Sequence, residues 1–160
     1  MGESGLGHAP PCVDDAVAHS FLNDPAVRVA LHARPRSEIG SWTICSDKLN
    51  YTHDEWSMIP IHRSLVQHGI RALIYSGDHD MCVPHTGTEA WTSSLGFAEV
   101  EAWRPWVVKD QVAGYCRSFN PTTGAKLTYA TVKGAGHTVP EYKPEESLAM
   151  FSRFLQDAPL

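Results

Sequence analysis

Arg71-Ala-Leu-Ile-Tyr-Ser-Gly-Asp-His-Asp-Met-Cys-Val-Pro84 is the stretch on which the reading of the fold turns. Ala72 to Tyr75 form a short apolar, β-favouring run that breaks at Ser76-Gly77. A polar segment with two carboxylates and a histidine follows, closed by Pro84. Buried parallel strands of α/β proteins end this way, spilling polar residues into the loop at the carboxyl edge. Open α/β sheets carry their chemistry at that edge. Further on, a second strand-like run, Leu127 to Lys133, ends in Gly134-Ala-Gly-His137. An acid loop and a histidine loop thus each follow a strand.

Upstream of this stretch, Ser57 is placed to cap a helix ending near His68-Gly69. Met58, Ile61, Leu65 and Val66 are its expected buried stripe, and Gly69 suits the C′ position. Asp24 and Pro25 read as the N-cap and first residue of an earlier helix, with Val27, Ala30 and Leu31 on one apolar face. Another short helix is expected before it, from about Asp14 to Leu22. Residues 34–56 read as an irregular excursion. Downstream, Thr86 or Thr88 opens a helix that stops at Gly96. Strand signals then continue through Val112–Phe119 and Leu127–Lys133, joined by a turn at Asn120-Pro-Thr-Thr-Gly124. Pro144 begins the last helix, with Glu145 and Glu146 at its positive dipole end. Its stripe of Leu148, Phe151 and Leu155 is expected to pack on a sheet.

This order predicts an α/β layer protein with few parallel strands. So small a parallel sheet would leave an exposed edge. The chain is therefore expected to be the C-terminal part of a larger domain, residues 12–160, behind a Gly-, Pro- and Ser-rich linker at 1–11.

At 160 residues the chain is long enough for a core of its own. Its net charge of −5 is mild and mixed, without a basic patch. That argues against nucleic acid and against an anionic membrane surface as partners. No apolar run approaches the ~20 residues needed to cross a bilayer. Cys12, Cys45, Cys82 and Cys116 show no CxxC spacing, which argues against zinc, so no metal or cofactor is expected. They permit three internal pairings, and partners outside the chain are equally allowed. Asn50-Tyr51-Thr52 is an acceptor sequon for N-glycosylation, whereas Pro121 disqualifies Asn120-Pro-Thr122. Cysteines and sequon together point to the secretory route. The amino terminus lacks the pattern of a signal peptide, so a processed chain or a fragment is expected.

A carboxylate that accepts from imidazole Nδ1–H fixes the tautomer and stabilises the imidazolium formed during acyl transfer. Asp78 or Asp80 could serve His137 in this way. Equally, the two acids could cap the next helix and His137 could be a satisfied loop histidine. A hydrolytic metal site would need more ligands than Asp78, His79 and Asp80 can turn toward one point. Gly2-Glu3-Ser4 has the letters of a serine nucleophile motif, but no strand precedes it and no helix follows. Ser4 is read as linker.

Four blocks carry a family resemblance: Ile74-Tyr-Ser-Gly-Asp-His-Asp-Met-Cys-Val-Pro84, Trp103-Arg-Pro-Trp106, Gln111-Val-Ala-Gly-Tyr115 and Lys133-Gly-Ala-Gly-His-Thr-Val-Pro-Glu-Tyr-Lys-Pro144. They resemble plant serine carboxypeptidases, in particular the carboxypeptidase I-like group, over nearly everything from Cys12 onward. The resemblance implies the C-terminal portion of an α/β-hydrolase fold, with triad order Ser, Asp, His. It implies release of C-terminal residues from peptides by an enzyme of two disulfide-linked chains, this being the second. In that scheme Asp80 is the triad carboxylate and His137 the base, because the family's acid loop reads Gly-x-x-Asp from Gly77. Asp78 would then hold the loop through backbone amides.

The same resemblance makes Cys12 and Cys45 the bridges to the first chain. Cys82 is either a free thiol near the site or a partner of Cys116. A homodimeric assembly in the vacuole or outside the cell is implied as well. The family's Gly-Glu-Ser-Tyr-(Ala/Ser)-Gly nucleophile segment, its oxyanion loop and its carboxylate-holding Asn/Glu cluster are absent. Alone, the chain is not expected to complete the reaction. Related acyltransferases share Ser76-Gly-Asp-His-Asp-Met81 and Trp103-Arg-Pro-Trp106. Acyl transfer from a glucose ester is therefore the alternative, with a non-catalytic truncated chain as a third reading.

Overall fold

A computed structural model describes residues 15–44, 50–122 and 124–160. The 1–11 linker, Ser4, Cys12 and Cys45 lie outside the described residues. The chain divides into two units, Met1–Asp54 and Glu55–Leu160.

Among its described residues the first unit carries three short helices, α1 (Ala16–Asn23), α2 (Pro25–Ala30) and α3 (Arg36–Ile39). Asp24 starts α2 as expected: its Oδ1 accepts from the Ala26 and Val27 amides at 2.8 and 3.1 Å. Asn23 latches the end of α1 to Trp42, accepting from its amide at 2.7 Å and donating to its carbonyl at 3.0 Å. The expected apolar face of α2 is not buried within the unit, for Ala30 and Leu31 are exposed. The buried residue of α2 is Arg28, whose guanidinium donates to the Arg34 carbonyl. A six-residue helix with Pro25 at its start has too little length to bury a continuous stripe.

The second unit contains α4 (Ile59–Gln67), β1 (Ala72–Gly77), α5 (His85–Ser93), β2 (Ala98–Val108), β3 (Gln111–Asn120), β4 (Leu127–Val132), α6 (Val139–Tyr142) and α7 (Pro144–Leu155). The strands form one sheet in the order β1-β4-β3-β2. β1 and β4 run parallel, from Ala72 opposite Leu127 to Gly77 opposite Val132. The other two pairs are antiparallel. Every residue of β4 is buried, as its uninterrupted β-favouring run requires of a central strand. Among the described residues, β1 has no partner on its outer side.

The α/β class holds, although among the described residues only one strand pair is parallel. The two strand-like runs expected on either side of a turn become β3 and β4, antiparallel neighbours within a β2-β3-β4 meander, for which short turns suffice. Pro105 sits within β2, at the far edge, where its missing N–H costs no ladder bond on the open side.

Two clusters form the core. Trp106, Cys116, Ala130, Val132 and Met150 pack together, with Leu73 against them. Val66, Leu95, Phe119 and Leu127 form the second, with Ile74 and Trp91 alongside. The Trp106 indole donates to the Thr131 carbonyl at 2.9 Å and crosses β3 at Gly114. A Cβ on Gly114 would run into that same carbonyl oxygen and come within 2.7 Å of the indole nitrogen. The Gln111-Val-Ala-Gly-Tyr115 block therefore needs glycine at this crossing.

Two expected stripes are not covered within this chain. On α4, Val66 is fully buried, but Met58, Ile61 and Leu65 are exposed. On α7, Leu148, Phe151 and Leu155 lie on the outer face, and Ser147 and Met150 turn inward instead. Periodicity located both helices correctly and misjudged which side of α7 meets the sheet. Large apolar residues mark a face to be covered, and they do not say by what.

Candidate active site

Both loops of interest leave the sheet at the same end, because β1 and β4 are parallel and adjacent. Pairing continues past the strands: the Asp78 amide donates to the Val132 carbonyl at 3.2 Å, and the His79 amide to the Ala135 carbonyl at 3.0 Å. Gly77 permits this approach. A Cβ there would collide with the carbonyl oxygens of Ala135 and Gly136. The turn after β4 uses Gly134 at φ +70°, a left-handed conformation that favours glycine.

Within this frame Asp80 and His137 meet, with Nδ1 and Oδ2 2.8 Å apart. Asp80 is buried, and its other oxygen, Oδ1, accepts from the Cys82 and Val83 amides at 2.8 and 3.1 Å. The carboxylate is thus held at both oxygens in one orientation. The bond to His137 keeps the Asp80 carboxyl below the usual carboxylate range, the two amide donors add to this, and burial opposes it. An ionised carboxylate accepts only, so Nδ1 must carry a proton, and in a neutral imidazole so held it is Nε2 that keeps the lone pair. The His137 side chain is 62% exposed, and no hydrogen bond to Nε2 is present among the described residues.

An open cleft of about 380 Å³ lies over this pair, lined in part by Ile74, Tyr75, Val83, Trp91 and Val139. Its walls are mainly apolar, with the carboxylate–imidazole pair at one side. Tyr129 is fully buried and donates to the His85 carbonyl at 2.8 Å, tying β4 to the first turn of α5. Burial pushes the Tyr129 phenol up to about 12. Trp103 stacks with Tyr115 and with Tyr129, at 5.7 and 5.9 Å between centroids, and the Arg117 guanidinium lies over its ring.

Of the other described residues singled out from the sequence, none has a side chain hydrogen-bonded to this pair. Asp78 does not touch His137; its Oδ1 accepts from the Gly134 amide at 2.6 Å. Asp78 was expected to hold the loop through backbone amides, and the amide it accepts from belongs to the histidine loop. Nothing local signals a bond across 56 positions. Cys82 is exposed in the acid loop and Cys116 is buried in β3, both as free thiols, so the Cys82–Cys116 pairing is absent. Burial pushes the Cys116 thiol up, away from reactivity. Asn50 is exposed, within the first unit. Among the described residues, no three His, Cys, Asp or Glu side chains gather where they could hold a metal ion.

The family model for serine carboxypeptidases matches residues 4–157. Serine carboxypeptidase-like 20 of Arabidopsis thaliana is 58% identical over 91% of this chain, and serine carboxypeptidase 1 of Hordeum vulgare 53% identical over 94%. The chain spans 29% of the length of each and corresponds to their C-terminal part. The crystal structure of a prohormone-processing carboxypeptidase from Saccharomyces cerevisiae superposes with a TM-score of 0.67 at 22% identity, covering 87% of this chain and 31% of that one. At that identity the likeness concerns the fold, and it identifies the sheet and its helices as the C-terminal portion of an α/β-hydrolase fold. Matched along almost its whole length, the chain belongs to the serine carboxypeptidase family.

Proposed function

We propose that this chain supplies Asp80 and His137 to the Ser-Asp-His triad of a serine carboxypeptidase, the serine coming from a segment beyond these 160 residues. The observation that carries the reading is the 2.8 Å bond between His137 Nδ1 and the buried Asp80 carboxylate, with the rest of the imidazole open to solvent. Nε2 takes the proton of the serine hydroxyl as its oxygen attacks the peptide carbonyl carbon. Asp80 stays ionised throughout and stabilises the imidazolium. The imidazolium then protonates the leaving amino group as the C–N bond breaks and the acyl-enzyme forms. Water attacks the ester, its proton passing through Nε2 back to the serine oxygen. The substrate is a peptide, and its C-terminal residue is the amino acid released.

Without the nucleophile most of the rate advantage is lost, so the chain alone is inactive. Disulfides from Cys12 and Cys45 to the N-terminal part, a homodimeric enzyme, glycosylation at Asn50 and a vacuolar or extracellular setting belong to the same proposal.

Testing requires co-expression with the N-terminal part of the enzyme, and assay on a blocked dipeptide and on a glucose ester. The assembly is expected to release the C-terminal amino acid, and the chain alone to release none. Acyl transfer without peptide cleavage would favour the acyltransferase alternative. A native species of 17.6 kDa whose mass is the same before and after reduction would favour a truncated, non-catalytic product.

A further inference from the structure

The acid loop carries two aspartates, and the proposed triad uses one. Asp78 is partly exposed, with 32% of its side chain accessible, yet it makes one of the shortest bonds in the site: 2.6 Å from the Gly134 amide. A charged acceptor shortens and strengthens such a bond. His79 Nε2, 3.8 Å from the same oxygen and largely solvent-exposed, is too far to compete as a hydrogen-bond donor. We propose that Asp78 is a positioning residue: by accepting the Gly134 N–H it sets the histidine loop in the register at which His137 Nδ1 meets Asp80. The proposal rests on the role given above to the Asp80–His137 pair.

The route from Asp78 to the imidazole is short and stiff. Gly134 lies just past the end of β4, where the regular ladder stops and its amide has no strand partner. Between Gly134 and His137 stand two residues with little freedom. Ala135 is fully buried in the core cluster of Trp106 and Val132. Gly136 lies under the Tyr142 ring, so close that a Cβ would come within 2.7 Å of it. A displacement at Gly134 therefore passes to His137 rather than dissipating in the turn.

The His137 imidazole, in contrast, is loosely held. Its ring is mostly in solvent, and its bond to Asp80 is its one hydrogen bond among the described residues. Asp80 is itself fixed by two amides of its own loop. The distance between the pair is then governed by how the two loops are joined. Two joints are backbone hydrogen bonds, from the Asp78 and His79 amides. The third is the Asp78 carboxylate.

Three forms of the chain separate this role from others: wild type, Asp78→Asn and Asp78→Ala. Asn keeps an oxygen where Oδ1 sits, and Ala removes it. The first readout is the pair of imidazole 15N shifts of His137 in the 160-residue chain, which report which ring nitrogen carries the proton. Wild type and Asp78→Asn are expected to hold the Nδ1–H form. Asp78→Ala is expected to relax toward Nε2–H.

The second readout is peptide cleavage by the assembled enzyme. For Asp78→Ala, kcat is expected to fall about tenfold to a hundredfold with KM nearly unchanged, and Asp78→Asn to recover most of the loss. Circular dichroism checks the fold of each variant. If Asp78→Ala fails to fold, Asp78→Ser takes its place, its hydroxyl being too short to span to Gly134. A folded Ala or Ser variant with the wild-type tautomer overturns the proposal, as does an Asn variant as impaired as Ala. The tautomer readout does not depend on catalysis. Full activity in both Asp80→Asn and His137→Ala would instead remove the triad role of this pair and leave the positioning result standing.

Discussion

Gly77 and Ala135 meet backbone to backbone: no Cβ fits on Gly77 without striking the Ala135 carbonyl oxygen. The contact closes the acid loop onto the histidine loop. Both atoms it would push apart are main chain, so neither can swing aside. Gly77→Ala is expected to lower stability by about 1–3 kcal/mol, the usual cost of overpacking a tight site. Urea unfolding measures it as a lower midpoint at unchanged slope. In the assembled enzyme the same substitution is expected to cut peptide cleavage, since the loops separate at the point where Asp80 must reach His137. An alanine variant of wild-type stability would remove the contact from the explanation of the site.

Asp80→Asn tests the carboxylate with almost no change of shape. An amide can turn its NH2 toward Nδ1 and select the wrong tautomer, and it cannot stabilise an imidazolium. In the assembled enzyme kcat is expected to fall by about 10⁴-fold, with the fold and KM preserved. The measurement is steady-state cleavage of a blocked dipeptide, with a melting curve alongside.

How much of this was legible in the chain depended on the distance over which each effect acts. Asp24 with Pro25, Gly69 and the Pro144 start all act within one turn, and each lies where local chemistry predicts. Asp80 and His137 stood out because each followed a strand-like run, and parallel neighbours release their loops at one end of a sheet. The choice between Asp78 and Asp80 was not contained in the local pattern, since either could reach an imidazole. It came from a family resemblance, and the geometry now gives each acid a different partner. The Asp78–Gly134 bond, the Gly77 contact and the Gly114 crossing join residues remote in sequence and left no local trace. The outward turn of Leu148, Phe151 and Leu155 was missed for a related reason: amphipathic spacing identifies a stripe, and its neighbour is a tertiary matter.

The Asp80 carboxyl titrates below its ordinary value, which fixes the sign of one pH effect. A carboxyl depressed on folding contributes stability that is fully present above its unfolded pKa of about 3.9. That contribution disappears as pH falls through the lower, folded value. Thermal melts of wild type and Asp80→Asn are expected to run parallel above about pH 5 and to converge in stability below about pH 4. Parallel curves down to the acid limit would mean that the His137 bond does not depress this group.

Tyr129 behaves in the opposite sense. Its pKa is raised to about 12, chiefly by burial, so its contribution is complete below the unfolded value and lost as pH climbs toward 12. Absorbance titration of the five tyrosines is expected to leave one phenol neutral until the chain unfolds. Tyr129→Phe removes that late component and the bond to the His85 carbonyl, for a loss of about 1 kcal/mol.

The bare outer side of β1 has a use as a clock. In a parallel ladder successive residues face opposite neighbours. The Ala72 and Asp78 amides point to the β4 side. By that alternation Leu73 and Tyr75 direct theirs off the open edge. In deuterated solvent these two hydrogens are expected to be replaced early, while those of Ile74 and Ser76 persist. When another strand docks alongside, the first two slow down and the others stay as they were. The contrast between odd and even positions on a single strand would time the joining of the chain to the rest of its sheet, without any need to wait for catalysis.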